Sequence, residues 1–170
     1  MRTETRRQRY DEKKKSAKSF PIELAVCNFQ CDENVAFAVR SASCFGATAV
    51  NVIGSLPAYK DIRSRSGTTQ DLVAINQFKN PHDFLEYIRT NNIRLISAEL
   101  DDEAISIHYF DFVAGERICV VLGHEVSGIP VEVLKNSEKV FVDMPGSGFC
   151  LNTATTGSIF LYEYSRQMKL

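Results

Sequence analysis

From residue 20 onward, short apolar runs alternate with stretches whose apolar positions recur at helical spacing. Ile22–Asn28 (IELAVCN) is apolar without alternation and reads as a strand buried on both faces. Asp32 is placed to cap the helix that follows, with Val35, Ala38, Val39, Ala42 and Phe45 on one face and Gly46 ending it. Ala47–Gly54 is rich in β-branched residues and predicts a second strand. Ser55–Gln70 has no apolar periodicity and predicts a long loop, a feature that in compact domains is usually functional or mobile. Asp71–Phe78 reads as a short strand, and Asn80-Pro81 opens a helix with Phe84, Leu85 and Ile88 on one stripe. Ile93–Leu100 predicts a strand and Asp101–Glu116 an acidic connection; Arg117–Gly123, the most continuously apolar segment, predicts a central parallel strand. His124–Asn136 begins as a loop and closes as a short helix after Pro130. Lys139–Met144 is the last strand, Pro145–Cys150 a glycine-bearing loop, and Asn152–Met168 the final helix. Strands alternating with helices predict an α/β fold, a mostly parallel sheet with helices on both faces.

With 170 residues and 44% hydrophobic residues, the chain suits one domain over residues 20–170, preceded by a flexible arm over residues 1–19. That composition excludes a disordered, collagen-like or coiled-coil chain. No run of 18 apolar residues exists, so no membrane span is expected, and the charged start lacks the apolar core of a secretory signal. The formal net charge of −1 conceals a split, with about +5 on residues 1–19 and about −6 on the rest. A basic arm on a mildly acidic body fits a nucleic-acid partner, or equally a solubilising leader. The five cysteines form no CxxC pair, and Cys27 with Cys31 is at most half a zinc site, so the expectation is no metal and reduced thiols in the cytoplasm.

Ligands of open α/β sheets bind beyond the carboxyl ends of the strands. No GxGxxG follows the first strand, and neither GxxxxGK[ST] nor GxSxG occurs, which removes dinucleotide-binding, P-loop and hydrolase-elbow readings. Three other segments stand at strand ends. The first is Asn34, five residues, then Arg40, followed by Ser-Ala-Ser-Cys-Phe-Gly; the second is Val121-Leu122-Gly123-His124-Glu125-Val126-Ser127-Gly128-Ile129. The third is Val142-Asp143-Met144-Pro145-Gly146-Ser147-Gly148-Phe149-Cys150-Leu151-Asn152. Together and in this order they resemble the motifs of the SpoU (TrmH-like) RNA 2′-O-ribose methyltransferases, a branch of the SPOUT superfamily, over about residues 22–166.

The resemblance implies a C-terminal trefoil knot, an exception to ordinary chain connections, and S-adenosylmethionine bound within it. It implies a cofactor held around Gly123, Val142, Leu151 and Met144, with the strand end Ala98, Glu99 and Leu100 close by. It casts Arg40, Asn34, Glu125 and Asn152 as catalytic residues. A guanidinium is effectively always protonated, so Arg40 is read as a fork on the target phosphate and ribose rather than a base. Taken singly these residues have plainer readings: Arg40 a solvated helix residue, Glu125 the end of a turn, Asn152 a helix N-cap. The resemblance also implies a homodimer through the first and last helices, with Phe160, Tyr162 and Tyr164 as surface or core. The implied partner is RNA, tRNA before rRNA, contacted by Lys60, Arg63 and Arg65 and by Arg6, Arg7 and Arg9 of the arm. Two departures stand out: Cys150 where Ser is usual and Asp143 where Pro is usual. They keep open an alternative, a catalytically weak or inactive RNA-binding protein on the same fold.

Overall fold

The computed structural model describes residues 5–148 and 150–169. Arg2 of the expected arm and Phe149 of the third motif lie outside the described residues, as does the side chain of Arg6. Seven strands form one sheet in the order β3-β2-β1-β6-β4-β7-β5. They are β1 (Phe20–Cys27), β2 (Ala47–Ile53), β3 (Ala74–Phe78), β4 (Arg94–Ala98), β5 (Ile105–Ser106), β6 (Ile118–Leu122) and β7 (Glu138–Phe141). Every pairing is parallel. All five residues of β6 are buried, and it holds the middle of the sheet between β1 and β4, where its unbroken apolar run places it.

Helices cover both faces. On one, α2 (Asp32–Phe45) and α6 (Thr153–Gln167) pack together over β1 and β6, burying Val35, Val39, Ala42, Phe160 and Leu161. On the other, α4 (Pro81–Thr90) and α5 (Val131–Leu134) bury Phe84, Ile88 and Val133. The small residues of α6 serve this closeness: Gly157 is buried and the Ser158 hydroxyl lies 2.8 Å from that of Ser41 on α2. Phe160 and Tyr164 belong to the core, whereas Tyr162 is exposed.

A buried carboxylate braces the α4 face. Glu23 of β1 accepts from the Asn51 amide at 2.7 Å and the Tyr87 hydroxyl at 3.1 Å, and pairs with Arg117 at 3.2 Å. Fully partnered, it avoids the penalty an isolated buried charge would carry.

Four local expectations change. Asp101–Glu116, expected as an acidic connection, contributes the two-residue edge strand β5 beside β7. Residues 55–70 hold α3 (Tyr59–Ser66), and a 3-10 turn follows over Gly67–Leu72. The α3 helix buries only Ile62 and Ser66, too few apolar positions to show a period in the sequence. Asp32 is not the cap of α2: Cys31 occupies that position without a side-chain cap bond. In the arm, residues Arg6–Lys15 form α1, opened by a capping box in which Thr5 and Gln8 bond reciprocally. Its described side chains are all exposed.

Candidate functional site

Parallel strands all end on the same side, and there the tips of β4, β6 and β7 meet the start of α6 around a cleft of about 600 Å³. Ala98, Glu99 and Leu100 leave β4, Gly123 leaves β6, Val142 and Met144 leave β7, and Leu151 precedes α6; all seven line the cleft. Leu122 and Phe160 complete its apolar wall. The Glu99 carboxylate has no hydrogen-bond or ionic partner among the described residues. An acceptor with no protein donor, it stands beside Gly128, with Oε2 3.4 Å from where a Cβ on Gly128 would lie.

Gly123 is required by contact rather than by dihedral angle. A Cβ there would lie 2.7 Å from the carbonyl carbon of Gly128 and 2.9 Å from the nitrogen of Ile129, backbone atoms that cannot turn aside. The loop from His124 to Gly128 closes on itself just beyond β6 through a two-bond antiparallel bridge, His124 N–H to Gly128 O at 3.0 Å and Gly128 N–H to His124 O at 2.9 Å. Thr153 ties α6 to the same point, its hydroxyl donating to the Gly123 carbonyl at 3.1 Å.

Three of the four residues cast as catalytic converge in one network. The Glu125 carboxylate accepts from the N–H of Gln30 at 2.8 Å, the N–H of Cys31 at 3.3 Å and the Asn34 amide at 2.6 Å. Burial pushes the Glu125 carboxyl up, but these donors outweigh it and hold the group below the usual carboxylate value. It stays ionised and supplies, at the entry to α2, the anchoring that Asp32 does not. Asn34 is buried; its Oδ1 accepts from the Asn152 amide at 2.9 Å. Asn152 meanwhile caps α6, its Oδ1 accepting from the N–H of Ala154 at 3.0 Å and Thr155 at 3.2 Å. Cap and network member are therefore one role.

Arg40 stands apart. It is exposed on α2, does not line the cleft, and donates to the Arg65 carbonyl at 3.4 Å. Arg65 itself pairs with Glu33, and Arg63 donates to the Tyr59 hydroxyl at 2.8 Å and faces Asp71 at 3.6 Å. The basic cluster of Lys60, Arg63 and Arg65 is thus a partly neutralised face of α3, continuous with Arg40. Arg7 and Arg9 are exposed on α1.

The two departures separate. Asp143 does not line the cleft; its carboxylate accepts from the Ser106 hydroxyl and lies 3.8 Å from His108. It anchors the loop to β5 and adds no charge to the cleft lining. Cys150 does line the cleft, with an exposed thiol. His124 and Thr153, neither of them a candidate on sequence grounds, also stand on the cleft wall. Their positions, beside Gly123 and directly after Asn152, were the available signal. Among the described residues there is no cluster of metal-ligating side chains, and no helix is long and apolar enough to cross a membrane.

The model of the SpoU rRNA Methylase family matches residues 21–162. No curated protein sequence matches the chain. Among solved structures, an AdoMet-bound rRNA methyltransferase from Sinorhizobium meliloti superposes with a TM-score of 0.78 at 19% identity, over 89% of this chain and 58% of its own. This chain therefore spans little more than half the length of that relative. The TrmH/SpoU tRNA modifying enzyme of A. aeolicus gives 0.79 at 17% identity, over 96% and 84% of the two chains. A structure described for the 2-OH methylation of C/U34 on tRNA gives 0.77 at 22% identity, over 87% and 96%.

Proposed function

We propose that this chain, which belongs to the SpoU rRNA methylase family, transfers a methyl group from S-adenosylmethionine to a ribose 2′-hydroxyl of RNA, tRNA before rRNA. The observation that carries the reading is the cleft itself, where three parallel strand tips and the start of α6 enclose an apolar pocket lined by Glu99, a carboxylate without a partner among the described residues. Those residues fit the donor. The close approach of Gly123 to Gly128 leaves backbone groups, not side chains, to form the floor. Glu99 offers acceptors to hydroxyl or ammonium hydrogens, and Leu122, Val142, Leu151 and Phe160 offer an apolar wall. Specificity for the 2′-hydroxyl and for tRNA is supported by the C/U34 relative, which this chain matches over 96% of that enzyme's length.

When bound, the donor supplies an electrophilic methyl carbon on a sulfonium whose departing sulfur is neutral. What remains for the protein is to align the acceptor and to let the poorly acidic 2′-hydroxyl proton pass to a base or to water as the oxygen–methyl bond forms; alignment alone can supply on the order of 7 kcal/mol of barrier lowering in well-oriented systems. Glu125, Asn34 and Asn152 lock the start of α2 to the start of α6 beside the cleft. Arg40, outside the cleft of its own subunit, serves the acceptor side in a homodimer paired through α2 and α6, where Phe37 and Tyr162 are exposed. There its permanent charge and planar fork hold a phosphate and ribose. Lys60, Arg63 and Arg65 together with Arg6, Arg7 and Arg9 extend the contact along the RNA backbone. The trefoil knot and a cytoplasmic location belong to the same proposal.

One observation favours a second reading, a non-catalytic RNA-binding protein: a thiol, a weak hydrogen-bonding group, lines the cleft at Cys150 where a serine is usual. Methyl transfer from labelled S-adenosylmethionine to tRNA and to rRNA, followed by mass spectrometry of the nucleosides, separates the two. The expected result is a 2′-O-methylated nucleoside in the tRNA digest, with Arg40→Ala lowering transfer by about 100-fold while donor affinity is kept. No calorimetric heat with about 1 mM donor would overturn the methyltransferase reading.

A further inference from the structure

His124 follows Gly123 and opens the loop that carries Glu125. Its ring nitrogen Nδ1 accepts from two backbone N–H groups of that loop, Val126 at 3.0 Å and Ser127 at 3.2 Å. An imidazole nitrogen that accepts hydrogen bonds carries no proton, so in this arrangement the ring is neutral and its proton sits on Nε2. Nδ1 is thereby committed to the loop, and Nε2 is a donor on a residue that lines the cleft. Without the ring, the five-residue loop would be closed only by the two bonds of its antiparallel bridge, and Val126 and Ser127, both exposed, would turn their N–H groups to water.

The loop's shape matters because of what it holds at a distance. Glu125, next in sequence, reaches back to Gln30, Cys31 and Asn34, and Gly128 closes against Gly123 at φ 69°. Acceptors on this loop must be placed to within a few tenths of an ångström for a 2.6 Å contact to Asn34 to form.

We propose that His124 is a positioning residue: its Nδ1 holds the 124–128 loop in the shape that delivers the Glu125 carboxylate to the start of α2 and sets the floor of the cleft. The assignment within the loop stands on hydrogen bonds alone; its consequence for methyl transfer rests on the function proposed above. Asparagine is the conservative replacement, because its Oδ1 stands as many bonds from Cα as Nδ1 does and makes the same bonds to N–H groups two and three residues on. Alanine offers no acceptor.

The experiment compares the wild type with His124→Asn and His124→Ala. Nitrogen-15 NMR of the ring and amide exchange at Val126 and Ser127 report the loop, and steady-state transfer to tRNA reports the reaction. The wild-type ring is expected as the Nε2–H tautomer. Exchange at both amides is expected to speed about tenfold in His124→Ala and to stay within about threefold in His124→Asn. The transfer rate is expected to fall in the first and recover in the second. A proton found on Nδ1, or unchanged exchange in His124→Ala, overturns the assignment. Equal loss of transfer in both variants, with only His124→Ala loosening the loop, overturns the positioning role. If the wild type transfers no methyl while the tautomer and exchange pattern appear, the methyltransferase reading fails and the loop assignment is supported.

Discussion

The amide of Asn34 is engaged at both ends, its nitrogen on Glu125 and its oxygen on Asn152, which fixes which way the group faces. Neither partner is near it in the chain, so nothing local in the sequence points to the contact. Thiols show the same dependence on surroundings. Burial pushes Cys27 up to about 12 and raises Cys119 well above its ordinary value, while Cys31, Cys44 and Cys150 are exposed. Because the thiolate is the reactive form, iodoacetamide at pH 8 is expected to modify the native protein at Cys31, Cys44 and Cys150 and to spare Cys27 and Cys119. Intact-mass spectrometry counts the adducts; five adducts on folded protein would show that the core opens on the labelling timescale. Addition of S-adenosylmethionine is expected to slow labelling at Cys150 alone.

At the scale of elements, the clearest dependence is that of the β6 tip on the absence of a side chain at Gly123. Gly123→Ala sets a methyl group 2.7 Å from the Gly128 backbone, so the 123–128 loop must lift. The expected cost is about 1–3 kcal/mol of stability, with donor affinity falling at least tenfold. Thermal unfolding and calorimetry check both, and an unperturbed variant would mean that the loop moves freely. The elements themselves were legible to differing degrees. β1, β2 and β6 announce themselves by unbroken or β-branched apolar runs, and Gly46 ends α2 in the left-handed conformation as read. The α3 helix was invisible because it buries two residues, one of them a serine. Local sequence points to Asp32 at the entry to α2, whereas the carboxylate that serves it arrives from Glu125, more than ninety residues away.

For the whole molecule, charge is distributed unevenly: a basic helix α1 precedes a body with acidic excess, and Arg40 continues the basic face of α3. If that surface tracks RNA phosphates, removal of residues 1–18 lowers tRNA affinity about tenfold or more near 0.1 M salt. It also flattens the slope of log K against log salt by roughly 2, each released counterion contributing about 0.7–0.9. Binding titrations across salt concentrations measure this, and an unchanged slope would leave α1 without phosphate contacts.

The chain's own pattern of apolar runs determined that it is α/β, where six of its seven strands lie, and which strand lies at the centre, because burial on both faces leaves a continuous apolar signature. Glycine spacing and the order of three short segments marked where those strands end. Only the tertiary structure decided that the ends of β4, β6 and β7 surround one cleft, and that Glu125, Asn34 and Asn152 share one network. It alone placed Arg40 outside that cleft and turned the Asp143 carboxylate toward Ser106. The reason is physical: which strands neighbour the central one and the direction of a polar side chain follow from packing between segments far apart in sequence, and local periodicity carries no record of either.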